Sequence, residues 1–284
     1  MIQTRALDLS PQGLAASAAM LREAMPHAAH MTSDFLHWQY VANPVGAANG
    51  LEAWDGDRLV SHCVVQPLVA QVYGREVRGV MSMNAATLPE YLGRGVYFGM
   101  ARELYADLAS HGTGFGIAVT NDLSTPGFVL NCGFEIVRPL QARLGMGPIH
   151  LARRDTEVDF QKLWNAETIA WRLSPPHVCY RYEDRATLAR VIGPTGRAGI
   201  EVMLGYVPAR SIPTDRPVRR RSPNPLRLWL GLDERIDWKR SLYRDLPMRF
   251  RPSPLNLIFA DLTASGVGID PQRVRWSGLD FDDF

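Results

Sequence analysis

The sequence predicts an α/β protein built on a mixed, mostly antiparallel central sheet flanked by helices. Residues 51–88 are rich in Val and Met and are broken by tight-turn residues at Asp55-Gly56-Asp57 and Gly74-Arg75, which is typical of a meander of three or four antiparallel strands. From Val96 the apolar residues recur at helical instead of strand spacing. A meander followed by a helix favours the α/β class.

An amphipathic helix is predicted before the meander. It begins after Ser10 and Pro11, which is a common N-terminal signal, and it stops at Pro26. Its apolar residues lie on one stripe: Leu14, Ala18, Leu21 and Met25.

The segment behind the meander predicts an alternation of helices and strands. The helix that begins at Val96 ends near Gly112. Residues 115–120 then predict a short buried strand, residues 124–132 a short helix, and residues 134–139 another strand. The predicted order is therefore meander, turn, helix, strand, helix, strand.

The second half of the chain repeats two patterns of the first. Trp38-Gln39-Tyr40 resembles Trp171-Arg172-Leu173, and residues 102–108 match residues 240–246 at five of seven positions. This match predicts a helix over residues 240–246. Either the chain contains a duplicated unit, or two amphipathic helices resemble each other by chance.

Length and composition indicate an ordinary folded protein. At 284 residues the chain exceeds the usual single-domain size, and we expect two domains, 1–150 and 151–284. A hydrophobic fraction of 46% without long apolar runs excludes a membrane span, and a net charge of +2 gives no reason to expect a nucleic-acid partner. The N-terminus lacks the pattern of a signal peptide, so we expect a cytoplasmic location. Three widely spaced cysteines favour reduced, mostly buried thiols.

A glycine pair lies where the meander gives way to the helix, in the turn Leu92-Gly93-Arg94-Gly95. A glycine turn at a helix N-terminus can aim several backbone N–H groups at one anion, and the helix dipole favours negative charge there. Without a Cβ atom at either glycine, a pyrophosphate could approach the main chain closely. Alone, such a pair is also typical of an ordinary turn.

The surrounding run, residues 87–97, resembles the acyl-CoA pyrophosphate loop of the GNAT acyltransferase superfamily. In that family a strand and a short helix follow, with an Asn and a Gly-Phe pair that correspond here to Asn121 and Gly133-Phe134. The resemblance covers residues 51–137 well. Residues 35–44, with Trp38-Gln39-Tyr40 before Asn43-Pro44, look like the opening of GNAT proteins from surface-polysaccharide pathways.

The resemblance implies a GNAT-like fold and an acyl-CoA co-substrate, acetyl-CoA or a longer acyl-CoA, without a metal. The second half would then be a degenerate GNAT-like lobe that contributes to the acceptor site. The residues implied at the acyl-CoA site are Thr87, Leu88, Leu92, Gly93, Arg94, Gly95, Val96, Tyr97 and Asn121. Residues 231–235 are acidic and precede the helix predicted in the second half, so only one acyl-CoA is expected per chain.

Two positions depart from the family pattern. Glu90 stands where the family has Gln or Arg, and we expect its side chain to point to solvent. Val129 stands where the family often has a Tyr that protonates the leaving thiolate. The usual acid is therefore absent.

Two residues are candidates for the base that takes the amine proton. His62 lies on a predicted central strand, and histidine is the residue type most often used as a general base; Asp122 follows Asn121. Each also has a structural interpretation, as a buried hydrogen-bonded histidine or a helix-capping aspartate. His27 and His30 lack further ligands at metal-binding spacing.

These observations predict an acyl-CoA-dependent N-acyltransferase acting on a small-molecule amine, for which we favour a nucleotide-linked amino sugar. Arg219 and Arg220, in an Arg-rich run, would contact its diphosphate, although such a run is also typical of a solvated loop. The alternatives are a non-catalytic acyl-CoA-binding protein of the same fold, or an aminoacyl or peptidyl transferase. Whether the chain forms an oligomer is left open.

Overall fold

The predicted class, a mixed and mostly antiparallel sheet with few helices, is confirmed by the computed structural model, which describes residues 1–151, 157–183, 187–195, 197–212 and 226–281. In that part of the chain, fifteen strands join in one sheet. They are β1 (Ile2–Ala6), β2 (Asn49–Asp55), β3 (Arg58–Val72), β4 (Arg75–Thr87), β5 (Phe115–Thr120), β6 (Glu135–Pro139), β7 (Gln141–Met146), β8 (Phe160–Lys162), β9 (Arg181–Glu183), β10 (Leu188–Pro194), β11 (Ile200–Pro208), β12 (Leu226–Leu232), β13 (Leu242–Asp245), β14 (Asn256–Asp261) and β15 (Val274–Ser277).

The described part of the chain contains five α-helices, four of them in its first half. They are α1 (Pro11–Ala24), α2 (Ser33–Leu36), α3 (Val96–Ser110), α4 (Thr125–Cys132) and α5 (Ala166–Arg172). The Ser10 side chain caps α1 by accepting a hydrogen bond from the Gly13 N–H, as its position before Pro11 predicts. A π-helical turn, His37–Val41, follows α2 directly. No described helix is long and apolar enough to cross a membrane.

The first half of the sheet contains the predicted meander. Strands β1 to β4 pair antiparallel in chain order, and β4 then pairs parallel with β5. The β4–β5 pairing covers only residues 79–81 and 115–117, although β4 continues to Thr87 and β5 to Thr120. The two strands therefore part toward their C-terminal ends, next to the glycine turn that precedes α3.

The second half has the same strand order. Strands β9, β10 and β11 pair antiparallel, and β11 pairs parallel with β12. This order matches β2, β3, β4 and β5 of the first half. Strands β8 and β15 lie between the halves and join them, because β8 pairs with β3 and β15 pairs with β12.

Each half is completed by a strand from the other half. Between β5 and β6 lies β14, which is antiparallel to both, although residues 140–255 separate β6 from β14 along the chain. In the corresponding place, between β12 and β13, lies β7, which directly follows β6 in sequence. The halves thus exchange one strand each. The division into 1–150 and 151–284 stays a prediction, but strand pairing crosses it in both directions.

The predicted helix over residues 240–246 is wrong. The segment forms a turn of 3-10 helix, Trp238–Arg240, followed by strand β13. Tyr243 is fully buried between exposed neighbours, which is strand periodicity, and pairing with β7 outweighs the helical propensity of this short segment. Residues 231–235, which include the acidic Asp233 and Glu234, therefore precede a 3-10 turn and a strand instead of the predicted helix. Asp233 forms an ion pair with Arg235 at 2.7 Å.

Two smaller expectations also need correction. Residues 2–6, for which no strand was predicted, form the edge strand β1, which packs beside β2. All three cysteines are free as predicted, but only Cys63 is buried, whereas Cys132 is half-buried and Cys179 is exposed.

The two tryptophans of the repeated pattern meet where the halves contact each other. Trp38 and Trp171 stack with ring centroids 5.1 Å apart. Each indole N–H donates to the main-chain carbonyl of the other tryptophan, at 3.0 and 2.8 Å. These reciprocal hydrogen bonds satisfy both indole N–H donors. They relate the two tryptophans by an approximate local two-fold axis where the halves meet.

We expect a chain of residues 1–150 alone not to reach the described fold. It lacks β14, whose Ile258 is completely buried, so β5 and β6 would lose the strand that pairs with both. Far-UV circular dichroism with thermal melting would measure this, and the control is the same chain with residues 252–262 attached through a flexible linker. A cooperative melt of the unlinked piece would contradict the expectation and show that β7 can take the place of β14.

Candidate functional site

The glycine turn has the backbone geometry that its sequence predicts. Gly93 and Gly95 have φ values of 72° and 73°, a left-handed region that side chains disfavour. A Cβ atom added to either glycine would meet nothing within 4 Å, so the space in front of the turn is open. Gly95 is the N-cap of α3 and provides no side-chain cap. The start of α3 therefore faces open space without a side-chain cap.

The charges around the turn favour an anion. The first turn of α3 contains no acidic residue, so the positive end of the helix dipole is not neutralised locally. The Arg94 guanidinium lies 5.0 Å above the Tyr91 ring, and Tyr91 donates a hydrogen bond to Asp55 at 2.9 Å. Glu90 is exposed, as expected, and forms a surface ion pair with Arg58 at 2.7 Å.

The remaining residues implied at the acyl-CoA site lie on both sides of the turn. Leu88 is fully buried, and Thr87 shares a hydrogen bond of 2.8 Å with Ser61, so both hold the end of β4 in place. Val96 and Tyr97 form the first turn of α3. Asn121 follows β5, and its side-chain oxygen accepts hydrogen bonds from the backbone of Leu123 and Ser124.

Buried hydroxyl and thiol groups lie between α3 and the start of the β4–β5 opening. The Tyr97 hydroxyl makes no hydrogen bond, although it lies beside Cys63 and Ser82. Burial raises the pKa of Tyr97 well above its usual value and raises that of the Cys63 thiol to about 12. Both groups therefore keep their protons at neutral pH.

A chain of hydrogen bonds crosses the buried face of β2, β3 and β4, and it contains His62. His62 has no exposed surface; its Nδ1 lies 3.1 Å from Glu52 Oε1 and its Nε2 lies 3.0 Å from the Tyr40 hydroxyl. Asn84 Nδ2 donates to the Tyr40 oxygen at 2.7 Å. At the other end, the Ser17 hydroxyl donates to Glu52 at 2.7 Å.

The direction of the protons in this chain follows from its ends. A Glu52 carboxylate can only accept, so a neutral His62 donates from Nδ1 and accepts at Nε2. Tyr40 must then donate its proton to His62, and burial raises the pKa of Tyr40, which keeps that proton in place. Its oxygen is left to accept from Asn84. The arrangement resembles a triad in which a carboxylate orients a histidine behind a hydroxyl.

Sequence reasoning found only His62 in this chain. Tyr40 belonged to the motif that suggested a polysaccharide-pathway protein, but nothing local linked it to His62, 22 positions away. Glu52 carried the one usable signal, since a single carboxylate in an apolar strand segment is uncommon unless it has a partner.

Asp122, the second candidate base, lies elsewhere. It is exposed in the turn after β5, and its N–H donates to the Ser253 hydroxyl. No contact joins it to the His62 chain in the described part of the molecule. It does not cap α4, whose N-cap residue is Ser124 without a side-chain cap; its neighbour Asn121 accepts two backbone hydrogen bonds of the preceding turn at Oδ1.

A small pocket opens next to the hydrogen-bond chain, at the contact between the halves. Gln39, whose side-chain oxygen accepts from Asn84 at 2.6 Å, is part of its wall. The pocket is lined by Trp38, Gln39, Gln66, Met81, Lys162, Trp171, Arg172, Asp280 and Phe281. Asp280 accepts from Trp164 and from Ser277, and burial raises its pKa. The pocket therefore combines an aromatic wall with charged groups of both signs.

Two expectations concern other parts of the chain. Arg219 and Arg220 lie outside the described residues. Among the residues that are described, no group of three or more His, Cys, Asp or Glu side chains could hold a metal ion.

Comparison with known proteins supports the fold. Residues 9–137 match the family model of an acetyltransferase (GNAT) domain. The chain is similar in structure to a probable N-acyltransferase of unknown function from Enterococcus faecalis V583, with a TM-score of 0.63 and 10% identity over 93% of this chain and 73% of that one. The chain is also similar in structure to a GCN5-related N-acetyltransferase from Anabaena variabilis ATCC 29413. The TM-score is 0.61 and the identity 9%, over 92% of this chain and 73% of that one. A GCN5-related N-acetyltransferase from Kribbella flavida is similar with a TM-score of 0.59 and 12% identity, over 93% of this chain and 72% of that one. No curated protein matches the chain.

Proposed function

We propose that the protein is an acyl-CoA-dependent N-acyltransferase. The observation that carries the proposal is the opening between β4 and β5 beside an uncapped glycine turn at the start of α3. An anion at the turn and an extended chain between the parted strands fit one ligand, a pyrophosphate joined to a long thioester arm. The GNAT domain match over residues 9–137 supports the same class of chemistry.

The reaction is direct transfer. The nitrogen of a neutral amine attacks the thioester carbonyl, a C–N bond forms, the C–S bond breaks, and CoA leaves as a thiolate. The amine gives up one proton and the thiolate takes one, so the products are an amide and CoA thiol. Positioning and stabilisation of the carbonyl oxygen supply most of the acceleration.

The carbonyl oxygen would bind main-chain N–H groups at an irregularity in β4. The pairing register with β3 shifts between His62 and Val64, so that Asn84 and Ala85 form a bulge opposite a single residue. A bulge interrupts the ladder and frees backbone groups. Donors freed by this bulge would lie next to the opening, where the oxyanion would form.

The amine proton would pass to His62 through Tyr40. His62 is completely buried, and its Nε2 contacts the Tyr40 hydroxyl, which also contacts Asn84. His62 can therefore act only through this hydroxyl. Asp122 remains the second candidate, and a water molecule could reach it because it is exposed. The Tyr97 hydroxyl, buried beside the opening, is a candidate to protonate the thiolate in place of the tyrosine absent at Val129.

For the acceptor we propose the amine of a nucleotide-linked amino sugar. Residues 35–44 resemble GNAT proteins of surface-polysaccharide pathways. Arg219 and Arg220 would contact the diphosphate.

Release of CoA thiol tests the function and the acceptor class together. We expect acetyl-CoA or hydroxybutyryl-CoA to release thiol with a UDP-linked amino sugar, and far less with free amino acids, spermidine or an aminoglycoside. Turnover confined to amino acids or drugs would overturn the sugar-nucleotide acceptor but not the transferase. Tight acetyl-CoA binding without acceptor-dependent thiol release would identify a binding protein instead, and transfer from aminoacyl-tRNA would identify the third class.

A further inference from the structure

The turn that carries Tyr40 is wider than an α-helical turn. In the π-helical turn His37–Val41, the Ala42 N–H donates to the His37 oxygen at 3.0 Å, five positions back. In an α-helix the same N–H would donate to the Trp38 oxygen, four positions back. π-Helical turns are rare and are frequent at functional sites. The wide turn therefore leaves the Trp38 carbonyl to be satisfied from outside the helix.

Three carbonyl groups of this turn accept hydrogen bonds from donors elsewhere in the chain. The donors are the Trp171 indole N–H to the Trp38 oxygen at 2.8 Å, Gln66 Nε2 to the Gln39 oxygen at 2.7 Å, and the Ala48 N–H to the Tyr40 oxygen at 2.7 Å. Two of these donors belong to the first half. Trp171, on α5, brings the third from the second half.

The turn holds two consecutive side chains in the hydrogen-bond chain of the first half. The Tyr40 hydroxyl lies 3.0 Å from His62 Nε2, and Gln39 Oε1 accepts from Asn84 at 2.6 Å. One residue more or less in a helical turn rotates the chain beyond it by about 100° around the helix axis. Conversion of this turn to an α-helical turn would therefore move the Tyr40 hydroxyl out of reach of His62.

The Trp171 indole decides between the two forms of the turn. Trp38 is buried, so its carbonyl needs a partner in either form. In the π-helical form that partner is the Trp171 N–H, whereas in an α-helical form it would be the Ala42 N–H. Without the indole donor, the buried carbonyl is satisfied only when the turn tightens.

We propose that Trp171 is a positioning residue, whose indole N–H keeps this turn in the π-helical form and so holds Tyr40 against His62. The inference rests on the proposed transferase function, in which the amine proton passes through Tyr40. It gives the second half a part in the reaction without contact with the reacting atoms. The half acts on the first through one hydrogen bond to the main chain.

The variant Trp171→Phe removes the donor and keeps an aromatic ring for the stack. We expect kcat for thiol release to fall about 10-fold or more, with the acetyl-CoA Kd within about twofold of the wild-type value. The matched control is Trp38→Phe, which removes the reciprocal donor, to the Trp171 carbonyl at 3.0 Å, and leaves the π turn its partner. Its kcat should fall less than about threefold. Trp38 is 7% exposed and Trp171 is half-buried, so structural damage alone would predict the opposite order.

A double-mutant cycle with Tyr40→Phe tests whether Trp171 acts through the Tyr40 hydroxyl. In the Tyr40→Phe protein that hydroxyl is already absent, so adding Trp171→Phe should lower kcat by less than about twofold. Circular dichroism establishes that each variant is folded at the assay temperature.

Equal loss of kcat from Trp171→Phe in both backgrounds would overturn the inference while the transferase function stands, and so would full turnover by Tyr40→Phe. A loss in Trp38→Phe as large as that in Trp171→Phe would overturn it as well. A wild-type protein that binds acetyl-CoA but releases no thiol with any amine would overturn the proposed function, and this inference with it.

Discussion

The Gly95→Glu variant is expected to weaken acetyl-CoA binding by about 2 kcal/mol or more, which corresponds to a Kd at least roughly 30-fold higher. The new carboxylate would occupy the open space in front of the turn, where the pyrophosphate is proposed to bind. It would also repel that group and partly neutralise the N-terminal end of α3. Isothermal titration calorimetry with acetyl-CoA measures the change.

The matched control for this variant is Gly74→Glu. Gly74 has a similar φ of 76° and equally open surroundings, but it lies in the β3–β4 hairpin, at the opposite end of β4 from the glycine turn. The backbone strain and the added charge are therefore comparable. An unchanged acetyl-CoA Kd in a folded Gly95→Glu protein would move the donor site elsewhere.

The His62→Ala variant is expected to lose most of its turnover and several kcal/mol of folding stability. Without the imidazole, Tyr40 has no acceptor for its proton and the Glu52 carboxylate is buried without its partner. Leaving a buried polar group without its hydrogen-bond partner typically costs about 1–3 kcal/mol, and more when that group is charged. We expect kcat to fall by about 100-fold or more, with a much smaller change in acetyl-CoA affinity.

A double variant separates the two effects of this change. Glu52→Gln together with His62→Ala removes the uncompensated charge, so part of the unfolding free energy should return in urea titrations while kcat stays low. Full turnover by a folded His62→Ala protein would instead assign the amine proton to Asp122 or to a chain of water molecules.

Local signals in the sequence predicted the first half of the fold well. The glycine turn, the helix after it and the meander before it depend on turn residues and on apolar periodicity, which are encoded within a few positions of each element. Gly93 and Gly95 lie in a turn between β4 and α3 and have left-handed φ values. Residues 240–246 show the limit of such signals, because a seven-residue pattern can suit a helix or a strand until its pairing partner is known.

The exchanged strands and the Glu52–His62–Tyr40–Asn84 chain could not be predicted in the same way. Strand β14 has the same apolar composition whether it pairs with the first or the second half, and its partners are more than a hundred positions away along the chain. The residues of the hydrogen-bond chain come from the π-helical turn after α2 and from strands β2, β3 and β4. In the sequence, each of them therefore looks like an ordinary core or motif residue.

The exchange of β7 and β14 also governs how this protein can emerge from the ribosome. When β6 leaves the exit tunnel, the strand that will lie beside it has not been synthesised, and at least residues 140–255 must follow first. Until then the nascent first half exposes the edges of β5 and β6, which are sites for aggregation or for premature pairing with β7. The glycine turn and α3 can form early, but the sheet that supports them closes only after nearly the whole chain is translated. The edges of β5 and β6 therefore stay unpaired until residues 256–261 have been synthesised.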